Sequence, residues 1–132
     1  MNIVWDKTLE TGVDIIDTDH HAIIEFYNRV YQYYVLNTDE LIIERAISDF
    51  SLQFSMHFLR EENFMASLQY PEFESHAKEH EIMMNLLNRA THYSPDTGET
   101  CQKIAFLVLQ WISSHLEGAD RRLAEFSRLK TE

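Results

Sequence analysis

Five histidines and two acids recur in this chain at spacings that could build a metal centre. His57 and Glu61 lie four residues apart, as do His76 and His80. An α-helix sets residues four apart on one face, one turn above the other. His115 and Asp120 are five apart, so a helix that turns both inward must widen, loosen or end around Gly118, and a local distortion is predicted there. His20 is supplied alone. One imidazole on an apolar face is ordinarily a hydrogen-bonded core residue. Burying five of them with two carboxylates is different, because each unpaired group costs several kcal/mol, and a shared cation removes that cost. Seven ligands exceed the roughly four of a tetrahedral zinc. Two octahedral-type ions bridged by both carboxylates use all seven and, with a solvent-derived bridge, leave about one position open. An open position on a redox metal is where a small molecule binds.

The elements that must carry these residues follow from periodicity. Apolar residues recur at spacings of three and four, and only three Gly and two Pro interrupt them, so the chain is expected to be all-α. Ile16, His20, Ile23, Ile24, Tyr27 and Val30 share one face of a first helix over about 18–36, with Asp17 or Thr18 as its cap. His21 shares its face with Asp17, Glu25 and Asn28, so His20 is expected to point inward and His21 outward. Asn37-Thr38-Asp39 caps a second helix over about 39–69, whose stripe runs Ile43, Ile47, Phe50, Phe54, His57, Glu61, Met65. Pro71 suits the first position of a third helix, about 71–91, with His92 as a surface residue complementing its C-terminal dipole. Ser94-Pro95-Asp96-Thr97-Gly98 reads as a loop before a fourth helix over about 99–117. Gly118 is expected to weaken the end of that helix. A short amphipathic helix, about 119–129, with Leu123, Phe126 and Leu129 then packs across one end. Residues 1–132 are thus expected to form a single domain, an up-down-up-down four-helix bundle with an N-terminal arm and a short C-terminal helix.

Charge and composition exclude several function classes. Eleven basic against twenty-two acidic residues leave a formal charge of −11, which repels phosphate backbones and anionic lipid surfaces. Neither nucleic acid nor membrane is an expected partner. The single Cys101 has no internal disulfide partner, and no export signal is apparent, so a cytoplasmic location is expected.

Taken in order, the motifs resemble those of the bacterial hemerythrins, a family of non-haem di-iron oxygen-binding proteins. The resemblance rests on Ile16-Asp17-x-x-His20, His57-Phe58-x-x-Glu61-Glu62, Tyr70-Pro71-x4-His76-x3-His80 and Trp111-x3-His115-x4-Asp120. Four separated signatures in the right order are far more specific than one histidine pair. The departure is Asp19, where relatives more often carry Gln. The resemblance implies that His76, His80 and His115 bind one iron, that His20 and His57 bind the other, and that Glu61 and Asp120 bridge them with an oxo or hydroxo group. It also implies reversible dioxygen binding at the iron with two histidines, for oxygen transport, storage or buffering, without catalytic turnover. Glu-x-x-His pairs, which mark the carboxylate-rich oxygenases of ferritin type, do not occur in the chain. Ile23, Ile24, Phe58, Trp111, Ile112 and Leu116, at helical spacing from the ligands, are candidates to wall off a dry oxygen pocket. The competing expectations are a di-iron enzyme acting on peroxide or nitric oxide, and an oxygen or iron sensor working through a separate protein partner. The sequence identifies no such partner and leaves the oligomeric state open.

Overall fold

The computed structural model describes residues 1–92 and 96–131. Helix α1 (Asp14–Val35), α2 (Glu40–Ser67), α3 (Phe73–His92) and α4 (Thr97–Gln110) form a four-helix bundle. Each packs against its neighbour in the chain, and α1 closes the ring against α4. A π-helical segment, Trp111–Asp120, continues α4 without a break into α5 (Arg121–Thr131). No helix among the described residues is long and apolar enough to cross a membrane.

Several boundaries differ from the sequence expectation, each for a local reason. Helix α1 starts at Asp14, and neither Asp17 nor Thr18 caps it. The Asp17 carboxylate instead accepts from the N–H of Thr11 (2.9 Å), the N–H of Gly12 (3.0 Å) and the Thr11 hydroxyl (2.8 Å). With these donors satisfied, the arm turns at Gly12 (φ +86°), and residues 14–17 are free to be helical. Asp39 does cap α2, accepting from Leu41 N–H at 2.9 Å. Pro71 is not the first residue of α3. Tyr70 N–H bonds back to the Met65 carbonyl at 3.0 Å while Gln69 takes a left-handed φ of 54°, and the chain needs Pro71 and Glu72 to turn before the helix begins. In the expected loop, Ser94 and Pro95 lie outside the described residues. Asp96 is the cap of α4, accepting from Glu99 N–H at 2.8 Å, and Thr97 and Gly98 are already helical.

Gly118 does not end the helix. The wider π turns let the backbone absorb the five-residue spacing of His115 and Asp120 and continue in helical geometry into α5. Leu123 and Ala124 of α5 join Ile16, Met65 and Tyr70 in a small apolar cluster at one end of the bundle, with Phe126 packed against it. Leu129 does not take part and is exposed. The main core, including Ile23, Phe54, Phe58, Leu87, Ile104, Trp111 and Leu116, fills the rest. The inward histidines and acids lie one turn from both clusters along their helices, so dry packing encloses them on either side. The N-terminal arm is fastened to α1 by the Asn28 side chain, which accepts from Ile3 N–H and donates to the Ile3 carbonyl, both at 2.8 Å. Trp5 stacks on the exposed His21, with ring centroids 3.7 Å apart.

Candidate metal centre

All seven expected residues converge in the bundle interior and are almost fully buried. Glu61, His76, His80, His115 and Asp120 each bring one potential ligand atom to a common point, with those atoms within 4.8 Å of one another; His20, His57, Glu61 and Asp120 do the same at a second point. The two groups share their carboxylates, and each carboxylate divides its oxygens between them. Glu61 Oε1 lies 2.7 Å from His76 Nε2 and 3.0 Å from His80 Nε2, while Oε2 faces His57 Nε2 at 3.4 Å. Asp120 Oδ1 lies 3.0 Å from both His76 Nε2 and His115 Nε2, while Oδ2 lies 3.0 Å from His20 Nε2.

The donor set fits metal ions better than it fits itself. His115 Nε2 is 3.1 Å from both His76 Nε2 and His80 Nε2, so three ring nitrogens point at one another. Behind them, carboxylates face the opposite ring nitrogens: Glu62 against His80 Nδ1 (2.8 Å), Glu79 against His115 Nδ1 (3.4 Å) and Asp19 against His57 Nδ1 (3.0 Å). A carboxylate accepts only, so each holds the ring proton on Nδ1 and turns the Nε2 lone pair inward. Lone pairs facing lone pairs and carboxylate oxygens at this range repel unless a cation lies between them. His20 Nε2, His57 Nε2, Glu61 Oε2 and both Asp120 oxygens are buried without a hydrogen-bond partner, and all of them belong to this cluster.

Without metal, protons must take the cation's part. Burial pushes imidazoles down, but the Asp120 and Glu61 carboxylates outweigh it, raising His76 to about 9 and His115 to about 10. Burial and mutual repulsion push Glu61 up, yet His115, His76 and His80 hold it well below the usual carboxylate range. Asp120 is likewise held low against burial, chiefly by His115.

Four contributing residues were not singled out as site residues from sequence: Asp19, Glu62, Glu79 and Arg60. Each is the immediate sequence neighbour of a cluster residue, which is the one signal that could have marked them. His21 and His92 are exposed and outside the cluster; His92 Nδ1 bonds to the Asn88 carbonyl at 2.9 Å. Among the expected pocket residues, Phe58 stacks on His80 with centroids 4.0 Å apart, and Trp111 stands edge-on to His20 at 5.0 Å. Ile23, Ile24 and Leu116 are buried in the same core, and Ile112 is only half-buried against it.

Comparison with known proteins gives the same direction. The family model described as the hemerythrin HHE cation binding domain matches residues 11–126. A bacteriohemerythrin of Clostridium acetobutylicum is 26% identical over 125 residues, covering 89% of this chain and 95% of that protein. One from Stenotrophomonas maltophilia is 25% identical over 128 residues, 93% of this chain and 80% of that protein. A hemerythrin of Phascolopsis gouldii is 30% identical over 86 residues, 64% of this chain and 68% of its own length. The matched span of the family model encloses all seven buried cluster residues as well as the four bundle helices, and the chain belongs to the hemerythrin family.

Proposed function

We propose that this protein binds dioxygen reversibly at a pair of non-haem iron ions, serving oxygen transport, storage or buffering. The observation that carries the reading is the division of the Glu61 and Asp120 oxygens between a three-histidine group and a two-histidine group. His76, His80 and His115 would hold one ion, His20 and His57 the other, and the two carboxylates would bridge them. When bound, the irons supply the electrons and the open coordination position that dioxygen needs. The side with two histidines carries fewer protein ligands, so the open position belongs there. Trp111 stands edge-on to His20 on that side, and Ile23, Ile24, Phe58, Ile112 and Leu116 add apolar bulk around the cluster that excludes water and protons. Two carboxylates and one hydroxide against two divalent ions leave about one net positive charge, which favours the reduced pair over strongly oxidising states. Such a site holds oxygen more readily than it spends it. The similarity to bacteriohemerythrins over most of the chain supports the same reading.

The direct test is to load the protein with iron without oxygen and then admit oxygen. A visible charge-transfer band that forms with oxygen and vanishes under vacuum is expected. Steady consumption of peroxide or nitric oxide with a reductant, above the rate of free iron, would overturn the carrier reading in favour of an enzyme.

Metal loading should also release protons. His76 and His115, raised to about 9 and 10, are protonated at pH 7 in the metal-free protein and must lose those protons to become ligands. The sign follows from linkage: their ion pairing stabilises the metal-free fold fully below the unfolded imidazole value and is lost as pH rises through 9 to 10. Apparent metal affinity should therefore rise with pH over this range. Calorimetric titration of metal at pH 7 in buffers of different ionisation enthalpy should give at least two protons released per chain.

A further inference from the structure

Every cluster imidazole turns Nε2 inward, so what its Nδ1 touches governs how strongly it donates to a metal. Glu62 and Glu79, which face His80 and His115, have side chains 32% and 43% exposed and share the load with water. Asp19 is different. Its side chain is only 11% exposed, its Oδ2 lies 3.0 Å from His57 Nδ1, and Arg60 grips both its oxygens. Arg60 Nε donates to Oδ2 at 2.9 Å and to Oδ1 at 3.2 Å, and Nη2 donates to Oδ1 at 2.7 Å. His57 and Arg60 stand three apart on α2 and meet Asp19 from one face, while Asp19 itself sits on α1 beside His20. On this half of the cluster the other imidazole, His20, has no partner at Nδ1. The Asp19–Arg60 pair is thus the outer support of the two-histidine half among the described residues.

We propose that Asp19 and Arg60 act as an opposed positioning pair that sets the donor strength of His57, and through it the redox potential of the ion held by His20 and His57. The proposal rests on the di-iron reading given above. A carboxylate drawing on the Nδ1 proton gives the ring imidazolate character, makes Nε2 a stronger donor and stabilises the more oxidised metal. A guanidinium forked onto the same carboxylate withdraws part of that charge. The two residues therefore pull the potential in opposite directions, while both hold the ring in place.

Potentiometric titration of the iron-loaded protein, followed by absorption, separates tuning from mere support. Asp19→Asn keeps the shape and loses the charge, so the midpoint potential should rise. Arg60→Gln leaves the carboxylate uncompensated, so it should fall, and Arg60→Lys should restore it towards the wild-type value. Competition titration with metal ions gives a second readout: Asp19→Leu should weaken one of the two binding events about 10–100-fold and leave the other unchanged. Shifts of the same sign in Asp19→Asn and Arg60→Gln, or no shift in either, would overturn the proposal while leaving the di-iron reading intact. Failure of the wild-type protein to take up a pair of ions would instead overturn that reading. Arg60 is 37% exposed, so if an Asp19 variant does not fold, the Arg60→Gln and Arg60→Lys comparison still decides the sign.

Discussion

Asp120→Asn is expected to abolish binding of both metal ions, whereas His20→Ala should leave about one ion per chain. The difference follows from connectivity. Asp120 gives one oxygen to His76 and His115 and the other to His20, so it belongs to both ligand groups, while His20 belongs to one. Removing one partner of a buried charged set costs about 3–5 kcal/mol, and here the same loss falls on both ions. Thermal unfolding reads the same effect. At a hundredfold excess over Kd, each ion adds about 2.7 kcal/mol, so loading should raise the wild-type melting temperature by about 20 °C. Asp120→Asn should show almost none of that rise, and His20→Ala about half of it. The metal-free variants keep both apolar clusters and should retain their helical circular dichroism. Equal metal content in the two variants would mean that Asp120 does not serve both ions.

The residues that could be read from the sequence are those whose position is fixed within one helix. His20 lies on the stripe of Ile16, Ile23 and Tyr27, and His21 does not, so four-residue periodicity alone separates a fully buried ring from an exposed one. The five-residue step from His115 to Asp120 demands a wider turn, and the backbone answers with π geometry from Trp111 to Asp120. That the chain then runs on through Gly118 was not legible, because the destabilising effect of one glycine is about 1 kcal/mol and the packing of Leu123 and Ala124 against Ile16 and Met65 outweighs it. Contacts between helices were hidden for a related reason. Asp19 stands beside His20 and looks like an ordinary helix-flank acid, yet it is buried because His57 and Arg60, 38 and 41 residues away, close over it. Asp17 could be read as a cap because its residue type suits one, but its carboxylate serves the arm before the helix. No local pattern reports which of two adjacent backbone segments a side chain will satisfy.

Shortening Phe58 or Leu116 to Ala is expected to make the oxygen-treated, iron-loaded protein lose its charge-transfer band faster. Phe58 covers His80 face to face and packs against Phe54, and Leu116 is fully buried in the turn that carries His115. Either truncation opens space beside the histidine and carboxylate cluster where water can enter, bringing the protons that, on the proposed function, would turn reversible oxygen binding into oxidation. The effect need not be large in energy to be plain in rate, since about 1.4 kcal/mol off the barrier is tenfold. Stability will fall as well, by about 2–5 kcal/mol for Leu116→Ala and about 3–5 kcal/mol for Phe58→Ala, so loosening of the whole bundle must be separated from opening of the pocket. Leu87→Ala provides the comparison. Leu87 is as deeply buried but lies seven residues beyond His80 on α3, about 10 Å along the helix axis. It should cost similar stability and leave the decay rate unchanged, whereas Phe58→Leu, which keeps apolar bulk over His80, should decay more slowly than Phe58→Ala. If Leu87→Ala accelerates decay as much as Phe58→Ala, global opening lets water in and the apolar wall has no protective role of its own. If only the residues against the cluster accelerate it, the dryness of this one end of the core is what keeps the bound oxygen recoverable.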